Sequence, residues 1–386
     1  MRVLFFGTYD TAMHPRVGVL AEGLRGHGAD VVECNAPLGV GTAARVAAVA
    51  QPWRLPSLVL TVARRWVSLA RAARRVGAVD AVVVGYLGLL DVHLARLLFR
   101  RVPIVLDHMT GAGDTAADRR LGGRLRRRLL AAVDRAALRR ADLIVVDTDE
   151  HRDALPARHH ARSVAVAVGA PSAWFTAGRE QATDAGARQA PDAPALRVVF
   201  FGLYTPLQGA TVIGEAARLL AGEGVTFTMV GQGQDEAATR HAAEGADVAW
   251  LPWVPAGDLP ALVAGHDVCL GIFGTSDKAM RVVPNKVFQG AAAGCAVVTS
   301  DSPPQRRALG DAALLVPAGD PHALATTLRR LATDRSETAR LRQAARRLAE
   351  ARFTPEHVVT PLWERLGDGG AGEPAGAGRL ASRGRR

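Results

Sequence analysis

Lysine, cysteine and long hydrophobic runs are all scarce in this sequence. Of its 48 basic side chains, only Lys278 and Lys286 are lysines. The three cysteines lie in or near apolar segments without a CxxC spacing, which predicts reduced core thiols and neither a metal site nor a redox site. The apolar runs are far shorter than the roughly 20 residues that cross a bilayer, and the first residues lack the apolar core of a signal peptide. We therefore expect a metal-independent protein of the cytoplasm.

Aromatic residues make up only 5% of the chain, and its net charge of +11 comes almost entirely from arginine. A chain so rich in arginine, alanine and glycine carries a compositional bias, so its charge is weak evidence for an anionic partner. The arginines are not interleaved with aromatic residues in a nucleic-acid reader motif, which makes a nucleic-acid binder the least favoured class. Residues 367–386 are rich in Gly, Ala and Arg, and we predict that they are disordered.

One pattern opens both halves of the chain. Strand 3–6, a loop and helix 16–25 begin the first half, and strand 197–202, a loop and helix 210–220 begin the second. Further short apolar strands alternate with helices, at 31–32, 81–84, 104–106, 143–146, 226–230, 268–272 and 296–299. This alternation predicts an α/β protein with two Rossmann-like, doubly wound parallel-sheet domains. Functional residues are then expected at the carboxyl ends of the strands, in the interdomain cleft.

Both lysines fall within residues 275–290, a stretch that follows the predicted strand 268–272. Pro284 fits the first turn of a helix over 286–293. The N terminus of such a helix offers free N–H groups and a positive dipole end to an anion. A phosphate site is therefore predicted here, and a solvated loop with incidental lysines is the alternative. The cations that would serve it are Lys278, Arg281 and Lys286.

Two other segments of the second half could contact a nucleotide. Gly231 and Gly233 follow a strand directly, where glycine lets backbone approach a phosphate or a ribose, although a simple tight turn explains them equally well. Residues 248–254 form a short aromatic-rich strand, where a nucleobase could stack on Trp253 or bond to the backbone at Val254. Core packing by the tryptophans of this strand is equally well supported.

These segments together resemble the retaining family-4 glycosyltransferases of the GT-B fold. The resemblance is carried by "VGQG", by "WLPWVPAGDLPALVAGHDVCLGIF" and by "KVFQGAAAGCAVVTSD", and it is better over 197–334 than over 1–170. It implies that the C-terminal half binds a nucleotide-sugar, that the N-terminal half binds an acceptor, and that the last helix crosses back. The predicted organisation is an N-terminal domain at 1–176, a linker at 177–195, a C-terminal domain at 196–352, a crossing helix at 353–366 and the tail.

The chain departs from that family at its phosphate-binding residues. Arg281 and Gln289 stand where the family has its Glu-x7-Glu carboxylates, and Leu203 and Gln208 stand where it has an Arg and a Lys that clamp the diphosphate. We expect the cations of 278–286 to take over the phosphate charge. Gln289 can still donate to, and accept from, a ribose hydroxyl. The residues expected to bind the donor, through "GLYTPLQG" and "PNK", are Gly202, Gln208, Gly209, Pro284, Asn285 and Gln289.

Several residues of the first half carry functional hypotheses. Gly7 begins a loop that faces donor and acceptor in the resembled family, although a structural turn explains this glycine equally well. Arg16, at the start of the following helix, could bind phosphate. His108 lies one position from a family histidine beside the reacting sugar, while a structural histidine bonded to backbone is equally well supported. Acceptor hydroxyls could also bond to Asp114, Thr115 and Asp118, although helix capping is the favoured role of the first two.

The predicted mechanism follows from missing nucleophile motifs. The sequence has no Ser-His-Asp spacing, no GxSxG and no obvious carboxylate pair, so a covalent glycosyl-enzyme has no visible nucleophile. Front-face substitution fits better, because the leaving diphosphate itself can accept the proton of the acceptor. We therefore predict a hexosyl- or other glycosyltransferase that retains configuration.

Two basic helices and two rival functions remain open. Residues 57–76 and 121–140 each predict an amphipathic helix with an arginine-rich face, which could rest on anionic lipid but fits a solvated surface better. A nucleotide-sugar epimerase of GT-B fold is one rival, and a catalytically inactive GT-B subunit is the other. The lost carboxylates argue against the first and favour the second.

Overall fold

A computed structural model of the protein describes residues 1–11, 14–39, 55–86, 88–109, 111, 124–187 and 195–370. The strands of these residues are β1 (Arg2–Gly7), β2 (Asp30–Asn35), β3 (Ala81–Val84), β4 (Ile104–Asp107), β5 (Leu143–Val146), β6 (Ser163–Ala165), β7 (Leu196–Phe201), β8 (Val225–Val230), β9 (Val248–Leu251), β10 (Val268–Leu270), β11 (Ala296–Ser300) and β12 (Ala313–Val316).

The α-helices of the described residues alternate with these strands. They are α1 (Arg16–Gly26), α2 (Leu55–Ala73), α3 (Asp91–Leu98), α4 (Arg124–Arg140), α5 (Asp149–Ala154), α6 (Ser172–Ala187), α7 (Ala210–Leu219), α8 (Glu236–Ala242), α9 (Leu259–Ala264), α10 (Asn285–Ala292), α11 (Pro303–Leu309), α12 (Pro321–Thr333), α13 (Arg335–Arg352) and α14 (Pro355–Gly370). None of the described helices is long and apolar enough to cross a membrane.

Each half forms one six-stranded sheet in which all pairs are parallel. The first sheet has the order β2-β1-β3-β4-β5-β6, and the second has the order β12-β11-β10-β7-β8-β9. Strand order reverses beside β1 in one sheet and beside β7 in the other, and crevices at such points receive ligands in open α/β sheets. The predicted fold class of two doubly wound parallel-sheet domains is confirmed.

Helices cover both faces of the sheets, which explains the continuous apolar runs in the strands. In β1, Val3 and Phe5 pack towards α1 and α14, while Leu4 and Phe6 pack on the opposite face towards α2 and α3. All four side chains are fully buried. The strand ends, rather than the strand faces, are therefore free to form sites.

The crossing helix packs on the N-terminal domain. Val359 and Leu362 of α14 belong to the same buried cluster as the inner face of β1. Gly23 of α1 makes this contact possible, because a Cβ there would lie 2.2 Å from the carbonyl oxygen of Pro355. The helix continues to Gly370, beyond the predicted end at 366, and residues 371–386 of the predicted tail lie outside the described residues.

The predicted linker at 177–195 needs correction over its first half. Residues 177–187 form the second part of α6, which packs on the C-terminal domain: Trp174 stacks on Phe201 with ring centroids 5.4 Å apart. Gly178 is unfavourable for a helix in sequence terms, but the packing of α6 on α10 requires a glycine there. A Cβ at this position would lie 2.4 Å from the Ala292 carbonyl oxygen. Residues 188–194 lie outside the described residues.

The amphipathic helix predicted at 57–76 is α2, and it covers the first sheet with one side. Leu69 is buried, and Trp66 donates its indole N–H to Asp91 at 2.8 Å. Val59, Leu60 and Val67 are exposed on its other side, together with arginines. The helix predicted at 121–140 begins at Arg124 in the structure, and residues 112–123 lie outside the described part of the chain.

Candidate functional site

The predicted phosphate stretch does lie at the carboxyl ends of the second sheet. It runs from the end of β10 to α10, which begins at Asn285. Pro284 directly precedes the helix with extended backbone (φ −73°, ψ 150°), so its predicted place in the first turn is corrected by one residue. No side chain of the described residues caps this helix N terminus. Its first N–H groups therefore remain available to an anion.

Lys286 occupies a buried position between α10 and the loop that follows β7. Its side chain is only 4% exposed, and its Nζ lies 3.7 Å from the centroid of the Phe200 ring. The ammonium donates a hydrogen bond to Oε1 of Gln208. Within the described residues, that amide is its hydrogen-bond acceptor and no carboxylate lies within 4.0 Å. A buried lysine with no counter-ion is unusual, because an unpaired buried charge is costly.

Glycine at position 202 makes room for this ammonium. Gly202 has φ +140°, and a Cβ on it would lie 3.2 Å from Nζ of Lys286. Gln208 lies in the same loop and is half-buried. The predicted exchange of cations is therefore consistent with the geometry: the side chain of Lys286 reaches the loop that carries a glutamine in place of the expected cation.

Burial also controls the protonation of this lysine. Desolvation lowers the pKa of Lys286 from its ordinary value to about 7, and Cys269 is the one charged or titratable group that opposes the shift. The Cys269 thiol is itself fully buried, which raises its pKa well above the ordinary value. An anion beside the ammonium would raise the pKa of Lys286 again, since an opposite charge favours the charged form.

Lys278 and Arg281 lie in the preceding loop. Lys278 precedes a short 3-10 turn, Ala279–Arg281, and both cationic side chains are half-buried. Arg281 donates from Nε to the carbonyl oxygen of Asp277 at 3.1 Å, which holds its guanidinium along its own loop. Of the three predicted cations, Lys286 is the one that bonds to Gln208.

The glycines of the second half serve backbone packing. A Cβ on Gly231 would lie 2.0 Å from the carbonyl oxygen of Gly202, and one on Gly233 would lie 2.3 Å from that of Tyr204. Gly209 has φ +62°, and its Cβ would lie 2.5 Å from the carbonyl carbon of Phe273. Loops at three strand ends thus touch backbone to backbone, which supports the structural interpretation of "VGQG" over direct contact with a ligand.

The aromatic strand divides into a packed and an exposed tryptophan. Trp250 packs edge-on against Tyr204, and the guanidinium of Arg240 lies 4.5 Å from its ring centroid. Trp253, just beyond β9, is 49% exposed. The core-packing interpretation is therefore wrong for Trp253. Val254 is half-buried against the core, and Gln289 is buried on α10.

The loop after β1 is fixed by a buried carboxylate. Asp91, at the start of α3, accepts hydrogen bonds from the backbone N–H and the hydroxyl of Thr8, each at 2.8 Å. A Cβ on Gly7 would approach Asp91 Oδ2 to 3.1 Å, and Gly7 has φ +150°. The structural explanation of Gly7 therefore holds, and it positions the loop beside the cleft.

Arg16 is held in a buried ion pair, and the prediction that it binds phosphate stays a prediction. Its Nε donates to Asp107 Oδ1 at 2.9 Å and its Nη1 to the Ala167 carbonyl at 2.9 Å, with both ionic side chains about fully buried. Nη2 is buried and has no partner among the described atoms. The arginine therefore ties α1 to the carboxyl end of β4 through Nε, and Nη1 ties it to the Ala167 carbonyl.

His108 is buried next to α4 and α5 rather than beside Lys286. Desolvation lowers its pKa, while the nearby Asp134 opposes that shift, so the imidazole is neutral near pH 7. Its backbone N–H bonds to Val145, and its Nε2 has no described partner. The prediction that it contacts a reacting sugar stays a prediction. Asp114, Thr115 and Asp118 lie outside the described residues.

The structure also shows a buried pair that the sequence analysis missed. Asp147 directly follows β5 and bonds to Nδ1 of His151, one helical turn on, with both side chains almost fully buried. The signal was present in "DTDEH", since an acid and a histidine four residues apart meet on one helical turn. Nε2 of His151 has no described partner.

Two contacts join this region to the C-terminal domain. The hydroxyl of Thr148 donates to the Arg281 carbonyl at 2.8 Å, so the loop before α10 is bonded directly to the segment that follows β5. Glu150 accepts two bonds from Arg307 of α11, at 2.8 and 2.6 Å. The cleft is therefore bridged beside the candidate site.

Residues 195–334 match the family model described as glycosyl transferases group 1. Sucrose-phosphate synthase from Thermosynechococcus elongatus has a similar structure, with 15% identity, a TM-score of 0.68, and coverage of 96% of this chain and 100% of that chain. The chain has the GT-B fold. HepE of Anabaena, solved with UDP-glucose, shares that fold at 13% identity, with a TM-score of 0.65 and coverage of 95% of this chain and 100% of that chain.

A third GT-B structure, a glycosyltransferase from Rickettsia africae, is 11% identical with a TM-score of 0.59 and covers 96% of this chain and 99% of that chain. No curated protein sequence matches the chain. The predicted GT-B architecture is confirmed. The family match covers the domain that contains Gly202, Gln208 and Lys286.

Proposed function

We propose that the protein is a glycosyltransferase that moves a sugar from a nucleoside diphosphate to an acceptor hydroxyl, with retention of configuration as in family 4. The observation that carries the proposal is the buried ammonium of Lys286, which lacks a counter-ion within the described residues. It lies at the switch point of a doubly wound sheet, where such folds bind nucleotides. The family match over the same domain supports this assignment.

A diphosphate is the ligand chemistry that this site fits. The N terminus of α10 offers N–H groups, and Gln208 and Lys286 offer side-chain donors. Gly202 has no side chain that would stand between a ligand and the Lys286 ammonium. HepE, whose fold this chain shares, was solved with UDP-glucose, which makes UDP-sugars the first donors to test. Trp253 is the candidate residue for stacking on the base, because its indole ring is exposed beyond the end of β9 and a nucleobase can lie against it.

The proposed mechanism uses the protein to stabilise the leaving group. As the glycosidic bond breaks, charge grows on the diphosphate beside Lys286 and the helix N terminus, and the same oxygens accept the proton of the acceptor hydroxyl. The N-terminal domain then presents the acceptor across the cleft. A preorganised donor of this kind is worth about 2.7–4 kcal/mol in the transition state.

The test is release of nucleoside diphosphate from a panel of UDP-, GDP- and ADP-sugars by the isolated chain. Lys286→Met should lower turnover by about 10²–10³-fold, as expected from the loss of one such donor. Arg329→Gln is the matched control, since it removes a surface cation that is paired with Glu223 on the C-terminal domain. Turnover that Lys286→Met leaves intact would contradict the placement of the diphosphate.

The lost carboxylates favour one second candidate, a GT-B subunit that binds a donor without transferring it. Arg281 and Gln289 stand at the two positions concerned, and the guanidinium of Arg281 bonds within its own loop. Tight binding of a nucleoside diphosphate without any turnover would identify this case. Turnover by the isolated chain would exclude it.

A further inference from the structure

Lys286 is enclosed by uncharged groups. From β7 it meets the Phe200 ring, from the following loop it meets Gly202 and the Gln208 amide, and from β10 it meets Cys269. The thiol of Cys269 donates to the Lys286 carbonyl at 3.5 Å. Among the described residues, Cys269 is thus the one titratable group against it, and no acidic side chain balances an ammonium.

We propose that Lys286 is largely neutral in the ligand-free protein at mildly alkaline pH, and that a bound diphosphate supplies its counter-ion and causes it to take one proton from solution. Donor binding and proton uptake are then one event. This inference rests on the proposed function, because it assigns a regulation to the same diphosphate site. No covalent bond changes: the proton moves from water or buffer to Nζ, and the diphosphate remains the anion beside it.

The direction of the linkage follows from the two protonation states. Burial lowers the pKa of Lys286 to about 7 in the free protein, and a phosphate in contact raises it. An amine with a pKa near 7 is about 10% neutral at pH 6 and about 90% neutral at pH 8, so Lys286 itself should take up about 0.1 and 0.9 proton at these two pH values. Above pH 7 the affinity should fall by about tenfold for each pH unit.

This coupling also explains why a lysine stands here in a chain of arginines. A guanidinium remains charged at every pH that a protein meets, so an arginine in this enclosure would stay charged without a ligand. A lysine ammonium, in contrast, can lose its proton and remain a neutral amine until an anion binds. The residue type therefore matters at position 286 in a way that net charge does not explain.

The test is titration calorimetry of the full chain with UDP in EDTA, at pH 6 and pH 8, in pairs of buffers with different ionisation enthalpies. The secondary phosphate pKa lies near 6, so UDP is almost fully ionised at pH 8, whereas at pH 6 it is about half protonated and releases that proton when it binds beside a cation. We expect close to one proton to be taken up at pH 8 and no net uptake at pH 6. Lys286→Arg should bind UDP without uptake, because it already carries its charge.

The outcomes separate the two claims. UDP binding at pH 8 with the same enthalpy in every buffer overturns the coupling and leaves the diphosphate site standing. Equal proton uptake by wild type and Lys286→Met would assign the proton to another group and would also overturn the inference. Failure of UDP, GDP and ADP to bind wild-type protein would overturn the proposed function itself. The buffer dependence of UDP binding to the wild-type protein decides the proposal by itself, so the test does not depend on whether each variant folds.

Discussion

Lys286 lowers the stability of the free protein. Its pKa falls from an ordinary value near 10.5 to about 7 on folding, so the unfolded chain binds more protons between these values and the stability of the fold rises with pH there. Lys286→Met should therefore be more stable than wild type by about 1–4 kcal/mol at pH 7, as for other buried charges replaced by apolar groups. Urea denaturation at pH 7 and pH 9.5 should show the difference shrinking at the higher pH, and a variant that is less stable at both would contradict the account.

Arg16 and Asp107 form a buried pair whose partners depend on each other. Burial raises the pKa of Asp107 and the guanidinium opposes this, so removing Arg16 leaves an unpaired buried carboxyl. Arg16→Met should cost about 3–5 kcal/mol, whereas the double variant Arg16→Met, Asp107→Leu should recover most of that loss. A double-mutant cycle by urea denaturation measures the coupling. Additive single effects would show that the pair is not a unit.

Sequence reasoning found the central residue but not all of its surroundings. Lys286 stood out because the chain has only one other lysine, and its position after a strand predicted a place in the cleft. The ion pair of Arg16 could not be predicted, because its partner Asp107 lies 91 positions away and nothing local marks the pair. The Asp147–His151 pair had a local signal, a spacing of one helical turn. Partners distant in the chain therefore limit what a single sequence shows.

At the scale of elements, the loop after β8 packs against the loop after β7 through Gly231 and Gly233, where a side chain would collide with backbone. A Cβ at Gly233 would meet the Tyr204 carbonyl oxygen at 2.3 Å, whereas one at Gly257 would meet nothing within 4 Å. Gly233→Ala should thus cost about 1–3 kcal/mol, the usual effect of overpacking. Gly257→Ala is the matched control and should change stability by less than about 0.5 kcal/mol. Equal melting temperatures of the two variants would refute the packing role.

Strands were more predictable than helices in this chain. The continuous apolar runs of β3 and β5 have the predicted bounds, because a strand buried on both faces has no polar positions to blur its ends. The linker predicted from composition overlaps the second part of α6, because nothing in the sequence shows that Gly178 packs against the backbone of α10. Short edge strands such as β6 and β12 also went unpredicted. Tertiary contacts, rather than local propensity, decide these elements.

At the scale of the whole molecule, polar contacts join the two domains beside the site. The Glu150–Arg307 pair is bidentate, but half of the Arg307 side chain is exposed, so it is worth about 0.2–1 kcal/mol. Glu150→Gln should then shift an equilibrium between closed and open domains by at most about fivefold. Distance measurements between labels on the two domains would show a larger open fraction, with a smaller effect of the mutation at high salt. An unchanged distance distribution at low salt would contradict the role of this pair.

The account depends most on where a diphosphate lies between the GT-B domains. The direct measurement is a crystal structure of the protein with UDP. We expect the phosphates at the N terminus of α10, within hydrogen-bond distance of Lys286 Nζ and in van der Waals contact with Gly202, whose own N–H is bonded to the Val230 carbonyl. Density for UDP at a place where neither residue touches a phosphate would contradict the account.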